Sequence, residues 1–552
     1  MNAAWMLGLS IVYFAIAYVF YGRYLKKVFG LEKDRPCPSH TLADGIDYVP
    51  TATPVLFGHH FASIAGAGPI VGPVLAAQFG WLPALLWIIL GCVFIGAMHD
   101  FAALFLSVRN KGRSIAYVIE NELGYAGRQL FLLFCLALLV LVVTVFTTLV
   151  ADSFISTPCV ATSSLLFIAL APMFGVAVGR KILSLAEGSL IFVPLLFLCV
   201  WLGTIMPIDL VAIFGSKEAA RAVWIIFLLY YCLCASVIPV WVLLQPRDYL
   251  NSYLLYAMII LGFAGVFVAR PQIALPAIAP DAQMVPGIFP LLFVTIACGA
   301  CSGFHALVAS GTSAKQIDRE SHIQPIAYGG MLIEGLLAVL AICSIGYLGM
   351  DQVKALFTAK EAPQMIFANG LGHFCESLHI PFEVGRNFIA LAISAFLLTS
   401  LDTATRLGRF IWQELILPGQ ENPEQAKKTG SEWRNILGNR WIATLAVVIL
   451  AGIMAFSGGA SQIWPVFGAA NQLLAALTLL AITLFLNRSK RPVLFAMLPF
   501  IFMLVISIWA LLVLLQQQWG KSASLVLVSL ILLVLSAVLC FLGGKTFVKN
   551  KA

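Results

Sequence analysis

Phe57-Gly-His-His-Phe-Ala-Ser-Ile-Ala-Gly-Ala-Gly-Pro69, with Gly72-Pro73 close behind, is an apolar stretch that cannot stay one unbroken helix. Gly costs about 1 kcal/mol and Pro about 3 kcal/mol relative to Ala in a helix interior. Their density here opens the chain and frees backbone N–H and C=O groups. Hydrocarbon cannot satisfy those groups, so such a break persists at membrane depth only where it lines a cavity or is covered by protein. A second interrupted stretch, Cys234-Ala-Ser-Val-Ile-Pro-Val-Trp241, lies five crossings later and runs in the opposite direction. Paired interruptions in the two halves of a polytopic chain point to the solute site of a secondary transporter.

Composition agrees with a chain that lives in the bilayer. Of 552 residues, 61% are hydrophobic and 11% charged, against roughly 25% charged in soluble proteins. About fifteen stretches meet the requirement of roughly 20 apolar residues for a crossing helix. They lie near 4–21, 54–78, 82–106, 128–152, 160–179, 183–206, 220–244, 252–269, 289–313, 325–349, 384–404, 440–457, 463–486, 493–515 and 522–543. The first has no basic run before it and no cleavage motif after it, so it reads as an anchor rather than a removed signal peptide. With the N-terminus outside and the C-terminus inside, all of the 33 Lys and Arg fall on the cytoplasmic side except Lys217, Arg221, Arg270, Lys354, Lys360, Arg386 and Lys521. That asymmetry follows the positive-inside rule. The net charge of +8 is therefore a topology signal, and no basic domain suited to nucleic acid is present.

The expected architecture is all-α: about fifteen crossings around a core of five-plus-five inverted repeats, similar to the leucine-transporter fold. Residues 1–53 form a first crossing and a cytoplasmic loop, 54–206 the first repeat and 220–404 the second. A mixed-charge cytoplasmic loop at 405–439 follows, with further crossings at 440–552. The loops at 270–288 and 350–383 are placed over the outer mouth. The span 289–313 is read as a helix on which Ala309, Thr312 and Ser313 share one face. A hydroxyl pair and a carbonyl there offer oxygen ligands to a monovalent cation. The alternative is two hydroxyls bonded back to their own helix.

Ionisable groups inside a bilayer cost roughly 2.5–3.5 kcal/mol or more and mark function by default. His59, His60, His99, Asp100, Asp152, His305, Glu334 and Asp402 qualify. Histidine titrates near neutrality and serves either a coupling proton or a carboxylate solute. Asp402 precedes Arg406 by four residues, the spacing of an ion pair on one helix face, read as a strut or gate. Arg247-Asp248 is a further gate candidate at the inner surface. Cys298-Gly-Ala-Cys301 alone among the 12 cysteines has ligand-like spacing, and a single such pair reads as buried small residues, with no metal assigned. No phosphate-binding loop, zinc-protease motif or nucleophile elbow occurs, so an enzyme is not expected.

Several ordered motifs resemble the carbon starvation protein A (CstA) family of bacterial inner-membrane transporters. They are Asp44-Gly-Ile-Asp-Tyr-Val-Pro50, Phe57-Gly-His-His-Phe61, Ala65-Gly-Ala-Gly-Pro69, Gly96-Ala-Met-His-Asp100 and Gln245-Pro-Arg-Asp-Tyr-Leu250. Ile296-Ala-Cys-Gly299, Ser302-Gly-Phe-His-Ala306, Ser310-Gly-Thr312, Leu401-Asp-Thr-Ala-Thr-Arg-Leu-Gly408 and Trp464-Pro-Val-Phe-Gly-Ala-Ala-Asn-Gln472 complete the set. The resemblance implies uptake of peptides or of small carboxylates such as pyruvate, driven by a proton or sodium gradient. It also implies kinship with the amino acid–polyamine–organocation superfamily, to whose sodium-site pattern Ala309, Thr312 and Ser313 are similar. His99 stands where a polar amide is expected before Asp100.

The solute is expected between the two breaks, with His59, His60, Ser63, Gly66 and Gly68 on one side and Ser236, Pro239 and Trp241 on the other. Ser302 and His305 stand nearby. Ala309, Thr312, Ser313, His99 and Asp100 are the candidates for coupling to a sodium ion or a proton, and Asp402 with Arg406 for a gate or strut. No other cofactor is expected; the partners are a small solute and membrane lipid. A solute-binding sensor with little transport and a channel are the rival readings.

Overall fold

The computed structural model describes residues 2–549 apart from 33–34, 46, 281–286, 360, 418–431 and 458–459. Among the described residues every regular element is helical, and strand pairing is confined to isolated bridges. In that same set, 14 helices are long and apolar enough to cross a membrane. The remaining expected crossing, 289–313, is divided into short pieces.

Helix Thr53–Ala65 stops at Gly66, whose φ of 40° and ψ of −146° lie outside any helix, and helix Gly68–Ala76 resumes beyond it. The first interruption is therefore where the Gly-Ala-Gly-Pro run places it. The second is not at 234–241. Lys217–Val237 and Leu244–Ala269 are each complete crossings, so 238–243 is the turn that joins them. Pro239 has no N–H to continue a helix and drives the preceding residue to extended geometry; Ile238 sits at φ −65°, ψ 141°. The true second interruption falls in the span expected to be continuous: Ile288–Thr295, Ala297–Ala300 and Gly303–Gly311 are separate helices, and Cys301 and Ser302 between the last two are extended. The boundary at 220 thus does not open on a broken crossing.

The two broken crossings touch at their breaks. A Cβ on Gly72 would stand 2.6 Å from the Thr295 carbonyl oxygen and 3.2 Å from Ile296 Cα, and one on Gly68 would collide with Cys298. Glycine is required here for close approach of two backbones. Two long helices, Ile115–Ser156 and Phe382–Ile416, pack against each other and brace this centre. The long helix Ala460–Arg488 packs on Ile115–Ser156 and on Gly303–Gly311, so the later crossings are part of the core. The helix Ala3–Phe29 lies along Gly330–Gly346, with Met6, Leu7 and Phe14 buried.

The 270–280 segment lies across the turn at Gly80. Trp81 and Leu82 N–H groups donate to the Pro276 and Ala277 carbonyls at 3.2 and 3.0 Å, and Ala279 N–H donates to Phe79 at 3.1 Å. The segment 350–383 contains two helices, Met350–Thr358 and Pro363–Glu376. The expected connector at 405–439 is helical as far as Ile416 and again from Glu432 to Leu437, while residues 418–431 lie outside the described residues.

Gly72→Ala is expected to lose about 1–3 kcal/mol through overpacking, because both atoms it meets are backbone. Gly349→Ala, with nothing within 4 Å of its Cβ, is the control. Thermal unfolding of the purified protein in detergent checks the difference.

Candidate functional site

The first break frees carbonyls that the long Phe382–Ile416 helix meets. Ser400 Oγ donates to the Ser63 carbonyl at 3.2 Å, and Thr403 Oγ1 lies 3.3 Å from Ser63 Oγ. A Cβ on Gly66 would stand 2.7 Å from Ser400 Oγ, so glycine serves both the backbone angle and the contact. The second break is held from the Ala460–Arg488 helix. Asn471 Oδ1 accepts from Phe304 N–H at 2.8 Å and from Ser302 Oγ at 3.2 Å. Its Nδ2 donates to Ser302 Oγ at 2.9 Å and to Cys298 Sγ at 3.3 Å. Gln472 donates to the Phe293 carbonyl. Several of the freed groups thus find a side chain from a neighbouring helix, as a break inside a bilayer demands.

Two clusters of buried charge flank the first broken crossing. His59 and His60 are consecutive, hence about 100° apart around their helix, and they face different partners. His59 Nδ1 lies 2.7 Å from Asp248 Oδ2. Asp248 Oδ1 accepts from Arg247 Nη2 at 2.8 Å, and Arg247 Nη1 donates to Asp402 and to Tyr231 Oη. Tyr231 in turn donates to Asp402 Oδ2 at 2.7 Å. One guanidinium thus binds two carboxylates from different helices, Leu244–Ala269 and Phe382–Ile416, and ties both to the first broken crossing. His60 Nδ1 instead lies 2.7 Å from Ser313 Oγ.

The second cluster joins three crossings. Asp100 lies 2.8 Å from His99 Nδ1 through Oδ1 and 2.8 Å from His305 Nδ1 through Oδ2. His305 Nε2 stands 3.4 Å from Glu334 Oε2. All four side chains are 0% exposed. His305 sits in the first turn of Gly303–Gly311, just past Ser302, and the Ile64 carbonyl beside the first break faces it.

The site residues expected from sequence therefore separate into groups. His59, His60, Ser63, Gly66, Gly68, Ser302, His305, His99 and Asp100 gather around the two breaks. Ser236, Pro239 and Trp241 do not belong to that centre. Ser236 Oγ lies 3.3 Å from Thr444 Oγ1, Pro239 is in the turn between crossings, and Trp241 lines a cavity of about 480 Å³ with Thr51, Val55, Phe174 and Gln245. Ala309 lies in the helix that ends at Gly311, whereas Thr312 and Ser313 lie beyond it, so the three do not share one helix face. Thr312 Oγ1 donates back to the Val308 carbonyl at 2.9 Å, Ser313 serves His60, and Ala309 is packed in the core. Asp402 takes its cation from Arg247 rather than Arg406. Arg406 reaches the Ala235 and Ile238 carbonyls at the end of Lys217–Val237, with Asp47 3.9 Å away. Asp152 pairs with Arg221 at 2.8 Å.

Asn471, Ser400 and Thr403 are the residues that sequence reasoning did not assign to the site. Their signal was present as polar side chains within apolar spans: the Thr399-Ser400 and Thr403 hydroxyls, and the Asn471-Gln472 pair.

Two facing broken crossings, braced by a pair of long helices, define a secondary transporter of the five-plus-five inverted-repeat class. The fold is similar to that of the manganese transporter from Eremococcus coleocola solved with an aromatic bis-isothiourea substituted compound (TM-score 0.51, 13% identity, 92% of this chain and 99% of that one). It is equally similar to MhsT in complex with L-phenylalanine (TM-score 0.51, 14% identity, 88% and 99%). The family model described as carbon starvation protein CstA matches residues 2–359 and 349–510, and the chain belongs to that family. Among its relatives is the peptide transporter CstA of Escherichia coli (strain K12), 33% identical over 95% of this chain and 82% of the relative. The pyruvate/proton symporter BtsT of the same organism is 31% identical over 92% and 81%. The peptide transporter CstA of Bacillus subtilis (strain 168) is 32% identical over 92% and 89%. The protein is a multi-pass membrane transporter, not an enzyme.

Asp402→Asn leaves Arg247 with one buried carboxylate instead of two, and is expected to cost about 3–5 kcal/mol. Replacing all three charges together, Arg247→Met with Asp248→Asn and Asp402→Leu, recovers part of the loss. Thermal unfolding of the two variants beside wild type is the measurement.

Proposed function

We propose that this chain is a gradient-driven importer of peptides or small carboxylates such as pyruvate, placed in the bacterial inner membrane with its N-terminus outside. The observation that carries this reading is the meeting of the two breaks, where Gly68 and Gly72 pack on Thr295, Ile296 and Cys298. At that level the helices Gly68–Ala76 and Gly303–Gly311 both begin, so their positive dipole ends face the middle of the membrane. Asn471 occupies the donor at Phe304, whereas no side chain caps the Gly68 end. A carboxylate is the complement to such an end. The relatives named for peptides and for pyruvate share that group.

The same contacts support repeats that run from 53 to 269 and from 288 to 488, with the Pro158–Gly179 and Leu185–Ile205 pair inserted in the first. Each repeat then opens on a broken crossing. Its second member contains a π-helical turn, Cys92–Gly96 in one case and Gln324–Gly329 in the other. Its third member is a long helix, Ile115–Ser156, kinked at Gly124, in one case and Phe382–Ile416 in the other. The charged clusters beside the breaks supply what an ion-coupled cycle needs: groups whose charge changes out of reach of water.

In proteoliposomes, wild type is expected to exchange labelled pyruvate or dialanine by saturable counterflow and to accumulate one of them under an imposed ion gradient. A channel gives no counterflow, a sensor gives binding without flux, and either result removes the proposal. Gly66→Ala, strained by roughly 1–3 kcal/mol at a positive φ, is expected to reduce counterflow about tenfold or more. Trp241→Phe, away from the breaks, should leave the half-saturating concentration within about twofold of wild type.

A further inference from the structure

We propose that the His305–Glu334 pair is the proton-binding site that couples solute uptake, loading from the outer side together with the solute and emptying to the cytoplasm. This rests on the transporter reading above and names its driving ion. Asp100 has an imidazole Nδ1 at 2.8 Å on each oxygen, from His99 and from His305. Two N–H donors keep that carboxylate ionised and fix both rings with a proton on Nδ1. His305 is then left with Nε2, and Nε2 faces Glu334 Oε2 at 3.4 Å.

That gap is where protons enter and leave the cluster. With no proton in it, two carboxylates and two neutral rings carry two negative charges with no exposed atom, and a lone pair faces an anionic oxygen. Burial of unpaired charge on that scale is prohibitive. One proton in the gap leaves a net charge of −1, from Asp100. A second proton, with imidazolium at His305 and neutral carboxyl at Glu334, brings the cluster to zero. Glu334 is suited to this change because neither of its oxygens has a hydrogen-bond partner among the described residues, and neither has His305 Nε2. The Asp248–Arg247–Asp402 cluster differs in this respect, since each of its carboxylates is bonded to the Arg247 guanidinium.

Among the described residues, the titratable groups that face the pair include no fixed cation to replace a proton. His60 faces it from Thr53–Ala65, Cys92 from the π-helical turn, and Cys298 and Cys301 from the second break. Tyr13 of Ala3–Phe29 and Tyr328 lie beyond Cys92. His373 and Glu376 of Pro363–Glu376 bond to each other at 3.1 Å, beside Tyr347, at the far end of the Glu334 helix.

Coupling follows from position. His305 follows the second break directly, and the Ile64 carbonyl links it to the first. A cluster at −1 repels a carboxylate held between the breaks, and a cluster at zero does not. Proton and anionic solute therefore favour each other's binding by the same factor.

The test uses the full-length protein in proteoliposomes, with labelled pyruvate and dialanine as probes. A pH gradient and a sodium gradient are imposed separately, and counterflow is measured with neither. Wild type is expected to accumulate a probe under the pH gradient and not under sodium alone. Glu334→Gln leaves only His305 to take the proton, and is expected to lower accumulation about tenfold or more and to change the pH dependence of exchange. Glu334→Asp restores part of the accumulation. Accumulation by Glu334→Gln equal to wild type overturns the inference while leaving the transporter reading intact, and so does a wild type driven by sodium alone. Absence of wild-type counterflow for both probes overturns the transporter reading as well. Should Glu334→Gln fail to fold, lightly buffered wild-type protein provides the measurement. Uptake of about one proton per bound pyruvate or dialanine supports the inference, and none overturns it.

Discussion

Every arrangement at the centre of this molecule answers one constraint: a backbone group released inside a bilayer must be met by another protein group. Ser400 meets Ser63, Asn471 meets Phe304, and Arg406 meets Ala235 and Ile238. The three partners come from helices far along the chain from the groups they serve. Local sequence opens the first break, and Phe382–Ile416 and Ala460–Arg488 supply side chains that let both breaks persist inside the bilayer.

Charge obeys the same economy. Among 25 acidic residues, Asp100, Asp248, Glu320, Glu334 and Asp402 are without solvent exposure, and each has a partner on another helix. Consecutive histidines, His59 and His60, reach the Asp248 cluster and Ser313 respectively. The helix that bears them can thus respond to events on two sides of the site. Pairing across helices also means that no single crossing holds its charge without the others, which favours a few discrete arrangements over continuous flexing.

The fold class and the first break were legible because glycine and proline act locally. Gly66, Gly68 and Pro69 fall within about one turn, and no tertiary context restores a helix there. The second break was misread because its grammar is different. Pro239 looks like an interruption, but it ends a crossing that is already 21 residues long. The true break, Ala297-Cys-Gly-Ala-Cys-Ser-Gly303, contains no proline. Its small residues read as a helix interface until Asn471 competes for the Phe304 amide. Asp402 was assigned to Arg406 by helix spacing, and lost to a partner 155 residues away. Local periodicity sees a helix face; it does not see which neighbour that face will meet. The hydroxyls of Ser400 and Thr403 escaped notice for the same reason, since nothing in the 382–416 stretch records that its polar stripe lies along a gap in another helix.

The position of Asn471 carries a further implication for how such chains can diverge. Its amide closes the later gap from a crossing that follows both long braces, so the carboxy-terminal third of the polypeptide is a wall of the core and not an appendage. Evolution could trim or extend the loops around that wall freely. A lineage that shed the wall itself would first have to find another side chain to occupy the vacated amide, or else give up the gap.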